Sequence, residues 1–124
     1  MKIFLDIEQI ENYNFPSEFI EFATMEPKPD IEPWWLLVYK EGKINNWHNT
    51  LKKLYPKRTL VPFAKFSAND DIACFEGEDL SGNPKVLIIH AYASEGWELH
   101  GEYPDFCTWL KTAIETHAEW NEEN

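Results

Sequence analysis

Three short apolar segments, separated by turns of hairpin length, limit the folds open to this chain more than any other feature. The segments are Thr59–Phe66, Ile72–Phe75 and Lys85–Ala91, and they are rich in β-branched and aromatic residues. The connections, Ser67–Asp71 and Gly77–Pro84, contain the Asn, Asp, Gly and Pro residues that turns use. Because parallel strands need longer crossovers, we predict an antiparallel meander.

The flanking segments supply the remaining elements. Trp34–Lys40 is apolar on both faces and too short for a buried helix, so we predict a strand, and Gly96–His100 is a candidate edge strand. A short helical turn over residues 6–12 is a further candidate. Apolar residues at helical spacing predict three helices, which are Pro16–Thr24, a helix capped by Asn45 or Asn46 and ending near Tyr55, and a last helix whose apolar face is Phe106, Trp109, Leu110, Ala113, Ile114 and His117.

This order of elements predicts a single α+β domain over residues 1–124. We expect an antiparallel or mixed sheet of about four to six strands with helices packed on one side. A chain of 124 residues, of which 44% are hydrophobic and 15% aromatic, has enough apolar bulk for one core.

The net charge of the chain limits the classes of partner that it can bind. The formal net charge is -11, which argues against nucleic acid and against an anionic membrane surface, and favours a basic protein. Residues 66–105 hold 9 acidic residues and 1 basic residue, whereas residues 40–65 hold 1 acidic and 7 basic residues. The blocks are either solvated faces of separate elements or, for 66–105, an acidic surface that binds a cationic protein.

The sequence lacks the motifs of common catalytic and metal sites. It has no Gly-rich phosphate loop, no Gly-x-Ser-x-Gly, no Cys-x-x-Cys and no His-Glu-x-x-His. Its four histidines fall on different predicted elements, although His90 and His100 could meet across neighbouring strands with Glu98 nearby. A metal site there is the alternative to structural or surface histidines. We therefore predict a protein that is not an enzyme and has no cofactor and no metal.

Cysteine usage and the chain start suggest a compartment. Cys74 and Cys107 are too few for a disulfide framework, and we predict that both are small buried hydrophobes. The first residues lack the apolar stretch of a signal peptide, and no apolar run approaches the length of a membrane span. We expect a cytoplasmic protein.

Charge and predicted exposure mark candidate partner contacts. Trp97 lies between Glu95 and Glu98, and an exposed Trp beside acids suits an interface anchor. The clustered acids have two other interpretations: turn residues that bond their own backbone, or paired carboxylates for acid–base chemistry. The candidate partner-binding residues are Asp70, Asp71, Glu76, Glu78, Asp79, Glu95, Trp97 and Glu98.

The central stretch resembles the SUKH superfamily, which includes the yeast Smi/Knr-type cell-wall regulators and many bacterial immunity proteins. The resemblance lies in Leu60–Ala64, Asn69–Phe75 and Gly82–Val86, followed by the segment around Trp97 and the helix Phe106–Ile114. Pro16–Phe22 is similar to the family's early helix. The Gly-Gly loop that often follows this helix in the family is replaced here by Ala23–Pro27.

The resemblance implies an α+β domain that binds and neutralises a partner, in bacteria a toxin and often a nuclease. A nuclease cleft is basic because it holds phosphate, and an acidic domain could cover it. The leading hypothesis is thus an immunity protein for a basic toxin domain. A regulatory domain with a non-toxin partner is the second hypothesis, and a hydrolase using clustered carboxylates with His90 or His100 is the third.

Overall fold

The computed structural model describes residues 2–5 and 13–123, and the helical turn predicted over 6–12 lies outside them. The chain forms helices α1 (Ser17–Ala23), α2 (Lys43–Leu54) and α3 (Phe106–Glu123), and strands β1 (Trp34–Leu36), β2 (Leu60–Phe66), β3 (Asp71–Glu76), β4 (Val86–His90) and β5 (Leu99–Tyr103). A 3-10 turn, Leu37–Tyr39, follows β1.

The five strands form one sheet in the order β1-β2-β3-β4-β5, and every neighbouring pair is antiparallel. The predicted meander and the α+β class are therefore confirmed. Each turn between β2, β3, β4 and β5 returns the chain directly to the neighbouring position, as their short lengths require.

One face of the sheet carries an aromatic core. Phe63 of β2 stacks on Phe75 of β3 with ring centroids 4.2 Å apart. Phe19 of α1 lies 5.5 Å from the Phe63 ring, and Phe106 and Trp109 of α3 lie 5.8 and 5.0 Å from it. The helices α1 and α3 therefore cover this face.

The opposite face is covered by α2. Leu51 and Tyr55 pack there with Ile72, Cys74 and Ile89, all of them buried. The prediction that the helices lie on one side is wrong. The physical reason is visible in β3 and β4, whose central residues are buried without alternation, as strands covered on both faces require.

Several boundaries differ from the predicted ones. Only the first three residues of Trp34–Lys40 form a strand, because the chain turns at Leu37 and buries Leu37 and Val38 in the core. Gly42, with φ 80°, precedes α2 in place of Asn45 or Asn46. The last strand begins at Leu99 and not at Gly96.

Helix α3 begins after a capping residue and buries only part of its surface in the core. Asp105 caps its start by accepting a hydrogen bond from the Thr108 N–H at 2.8 Å, and this bond lowers the pKa of the Asp105 carboxyl. Trp109 and Ala113 are buried, but Cys107 is exposed, so the prediction that both cysteines are buried holds for Cys74 alone. Among the described residues, each helix is too short or too polar to cross a bilayer.

Candidate functional site

The connection between β4 and β5, residues 91–98, is named here the β4–β5 loop, and it lies beside the β2–β3 turn. Asp71 and His90 are direct partners in the β3–β4 ladder. The Ala91 N–H donates to the Asp70 carbonyl at 3.0 Å. The structure thus brings five of the predicted contact residues to one end of the sheet: Asp70, Asp71, Glu95, Trp97 and Glu98.

An ion pair between buried Glu98 and half-buried Arg58 holds the β4–β5 loop. Glu98 is only 4% exposed, and its Oε2 accepts a hydrogen bond from Arg58 Nε at 2.6 Å. Its Oε1 accepts the Gly96 N–H, also at 2.6 Å. Burial acts to raise the pKa of the Glu98 carboxyl, but the Arg58 and backbone hydrogen bonds outweigh it and hold the pKa below its ordinary value.

The expected exposure of Glu98 is therefore wrong. Its carboxylate faces inward because Arg58 and the loop backbone satisfy both of its oxygens. Glu98 fixes the shape of the loop and does not form its outer surface.

Tyr55 holds the same loop from α2's end. Its hydroxyl lies 2.8 Å from the Ala93 carbonyl oxygen and 3.1 Å from that of His90. Burial, followed by the negative charge of Glu98, raises the pKa of the Tyr55 phenol. The hydroxyl therefore stays protonated and keeps donating to the loop at neutral pH.

Two large aromatic side chains point outward from this anchored loop. Trp97 is 79% exposed and Tyr92 is 63% exposed. Tyr92 adopts φ 70°, a left-handed conformation that is unusual for an aromatic residue, and Gly96 has φ 100°. The predicted exposure of Trp97 is confirmed, and Tyr92 joins it as a residue that sequence reasoning missed.

The charge around the loop is mixed. Exposed Glu95 lies 3.8 Å from Lys57 Nζ, and Arg58 balances Glu98. Asp70 is exposed, whereas Asp71 is half-buried between two histidines. The predicted acidic surface is therefore partly neutralised at this end of the sheet by the connection between α2 and β2.

Those histidines are His90 and His100, and they do meet across β4 and β5. Asp71 Oδ1 lies 2.9 Å from His90 Nδ1 and 3.2 Å from His100 Nδ1. The two imidazole rings stack with centroids 4.4 Å apart and an interplanar angle of 14°. The carboxylate beside them is Asp71 and not Glu98.

The other three candidate acids lie at the opposite end of β3 and do not join this site. Glu76 Oε1 accepts the Glu78 N–H at 3.3 Å, and Asp79 Oδ1 accepts the Ser81 N–H at 3.1 Å. Hydrogen bonds from the Ser81 hydroxyl and N–H lower the pKa of the Asp79 carboxyl. These contacts favour the turn interpretation for this group.

A separate concave region is lined by residues of the segment 28–40, away from the β4–β5 loop in the sequence. It is a cleft of about 440 Å³ lined in part by Lys28, Trp35 and Tyr39, with the Lys28 ammonium 4.5 Å from the centre of the Tyr39 ring. Its lining brings together no histidine or cysteine with a carboxylate. The candidate site is placed at the β4–β5 loop because exposed Trp97 and Tyr92 lie there together with exposed Glu95.

Sequence reasoning missed Tyr55 and Arg58, which position the loop. Arg58 is the only arginine in the sequence, and that is the one signal that could have drawn attention to it. Nothing in the local pattern links it to Glu98, since the two are 40 positions apart.

No protein-family model, curated protein or solved structure matches this chain. The resemblance to the SUKH superfamily therefore stays a prediction.

Proposed function

We propose that this domain is a non-enzymatic, cytoplasmic binding protein that uses the β4–β5 loop to bind a basic protein, with Trp97 as the anchor. The observation that carries the proposal is the 79% exposure of Trp97 on a loop that the Arg58–Glu98 ion pair holds in place. Tryptophans of this kind are enriched among the residues that dominate binding energy in protein interfaces.

The anchoring of the loop supports this role. Glu98, Arg58 and Tyr55 order the loop within the free protein. Less conformational entropy is then lost when a partner binds, so more of the contact energy appears as affinity. The left-handed Tyr92 agrees with this view, because strained backbone tends to persist where function requires a particular local shape.

The charge of the whole chain supports a basic partner. A net charge of -11 attracts a cationic protein over distances comparable to the Debye length and raises its association rate. Together with the SUKH resemblance, this makes a basic toxin domain, such as a nuclease, the partner we propose. An immunity protein would neutralise it by covering its cationic cleft.

A binding experiment with two matched variants tests the proposal. The full chain is titrated with the purified product of the gene immediately upstream. We expect Trp97→Ala to weaken binding by about 2 kcal/mol or more, roughly thirtyfold in Kd, as measured by calorimetry. Leu80→Ala removes another exposed apolar side chain, at the opposite end of β3, and should bind like the wild type.

Equal affinity of the Trp97→Ala variant and the wild type would contradict the assigned interface. A growth assay tests the immunity role separately: cells that express the upstream gene product should survive only when the domain is co-expressed. Binding without protection would favour a regulatory partner over a toxin.

A further inference from the structure

Asp71, His90 and His100 form a compact group of potential metal ligands beside the β4–β5 loop. One ligand atom from each residue can be chosen so that all three lie within 4.8 Å of one another. Carboxylate oxygen and neutral imidazole nitrogen are common ligands of zinc and of related divalent transition metals. We propose that these three side chains bind one such ion, an inference that does not depend on the proposed partner.

The spacing of the donor atoms fits a small ion. With bonds of about 2.1 Å, two neighbouring ligands of a tetrahedral zinc lie about 3.4 Å apart. The distances from Asp71 Oδ1 to the His90 and His100 Nδ1 atoms are 2.9 and 3.2 Å. These separations between donor atoms are therefore within about 0.5 Å of those in a zinc site.

The backbone places these ligands on three adjacent strands. Asp71 begins β3 and is the register partner of His90, the last residue of β4. Ladder hydrogen bonds thus hold two of the ligands side by side. A site on strands loses less entropy on binding an ion than one on a free loop.

A β-bulge delivers the third ligand. Ile88 pairs with Gly101 and Ile89 pairs with Leu99, so His100 is an extra residue in β5. In a regular ladder His100 would oppose Ile89, which is buried on the α2 side of the sheet. The bulge instead stacks the His100 ring on His90, and re-aiming a side chain is a common role of bulges near functional sites.

Coordination requires one movement. An imidazole lone pair lies in the ring plane, so a single ion cannot lie in the planes of two parallel stacked rings. The His100 side chain is 46% exposed and can rotate out of the stack, while the less exposed His90 ring stays in place. Ion binding would thus replace the His90–His100 ring stack by two metal–nitrogen bonds.

The surroundings leave space for a further ligand. A cleft of about 320 Å³ adjoins Asp71 and His100 and is also lined by Asn69, Thr112 and Thr116. Water can complete the coordination there, as it does in zinc sites with three protein ligands. The net charge of -11 also favours accumulation of a dication.

Calorimetric titration of the full, tag-free chain with ZnCl₂ tests the site. We expect binding of one ion per chain, and a loss of affinity of about tenfold or more in His100→Ala and in Asp71→Asn. Titration with Co²⁺ should produce visible absorption bands of a low-coordinate nitrogen–oxygen site, and His100→Ala should remove them. Far-UV circular dichroism checks that each variant is folded.

Two variants exclude other sources of binding. His117→Ala removes a histidine on α3 whose Nδ1 lies 2.7 Å from the Glu32 carbonyl oxygen, and Cys107→Ser removes the exposed thiol. Both should bind zinc like the wild type. Binding weaker than about 100 µM, binding that survives His100→Ala and Asp71→Asn, or binding lost in Cys107→Ser or His117→Ala would overturn the proposal.

Discussion

The neighbouring residues Trp97 and Glu98 lie in environments that are unusual for their residue types, because large aromatic side chains are usually buried and carboxylates are usually exposed. The indole is 79% exposed, whereas the carboxylate is 4% exposed. Gly96, at φ 100°, sets the local backbone direction, and Arg58 compensates the buried charge. A hydrophobicity pattern alone predicts the reverse arrangement. The acidic neighbours of Trp97 predicted its exposure, whereas the burial of Glu98 does not follow from the sequence around it.

Removing the buried carboxylate should cost more stability than removing an exposed one. We expect Glu98→Ala to lower the free energy of unfolding by about 2–4 kcal/mol, because Arg58 and the Gly96 N–H lose their acceptor. Glu95→Ala is the matched control, since its pair with Lys57 is exposed, and it should change stability by less than about 0.5 kcal/mol. Urea denaturation measures both, and equal effects would contradict the structural role of Glu98.

The same carboxylate makes stability depend on pH. The pKa of Glu98 is lower in the folded than in the unfolded chain, so its ionised form stabilises the fold above the ordinary Glu pKa of about 4.3. This stabilisation is lost as the pH falls through the folded pKa. The stability difference between the wild type and Glu98→Gln should be constant near neutral pH and shrink below about pH 4.3. A difference that does not change with pH would contradict this account.

At the scale of elements, most strands and helices and the turns between β2, β3 and β4 followed from local patterns, whereas the conformation of the β4–β5 loop did not. The short apolar runs of β2, β3 and β4, with their turn residues, predicted the meander, and helical spacing predicted α1 and α3. The bulge at His100 and the left-handed Tyr92 had no sequence signal, because they arise from pairing with β4 and from anchoring by residues of the connection after α2. The candidate site depends on these two features.

Backbone conformation in the β4–β5 loop predicts effects of different size for two substitutions. Gly96→Ala places a Cβ at φ 100° and should destabilise the fold by about 1–2 kcal/mol, although no atom lies within 4 Å of the added carbon. Tyr92→Gly relieves a left-handed conformation and removes a largely exposed ring, so it should change stability by less than about 0.5 kcal/mol. Thermal unfolding compares them, and a larger loss in Tyr92→Gly would contradict the assignment of strain.

At the scale of the whole molecule, the negative charge is spread over surfaces that face different directions. The predicted acids divide between the two ends of β3, and Lys57 and Arg58 offset part of the charge near Trp97. Long-range attraction of a cationic partner is therefore a property of the whole chain more than of one patch.

Two double variants of equal net charge separate local from overall attraction. Replacing Asp70 and Glu95 by Lys raises the net charge from -11 to -7, because each reversal adds two charges, and replacing Glu115 and Glu119 on α3 by Lys has the same effect on the net charge. All four positions are exposed, so the fold should persist. We expect both variants to associate with the partner more slowly than the wild type and their association rates to depend less on salt. The effect should be larger in the variant changed near the β4–β5 loop. Stopped-flow measurements that show unchanged rates in both would contradict electrostatic steering.

The sequence by itself determined the fold class, the antiparallel order of β2, β3 and β4, the helices α1 and α3, and the overall charge. These depend on side-chain periodicity, turn residues and composition, which act locally or add along the chain. Only the tertiary structure decided that helices cover both faces, that Glu98 is buried against Arg58, and that Asp71 meets His90 and His100. The Asp71–His90 and Arg58–Glu98 contacts alone join residues 19 and 40 positions apart. The energies of all these contacts depend on burial and strand register, which exist only once the chain has folded.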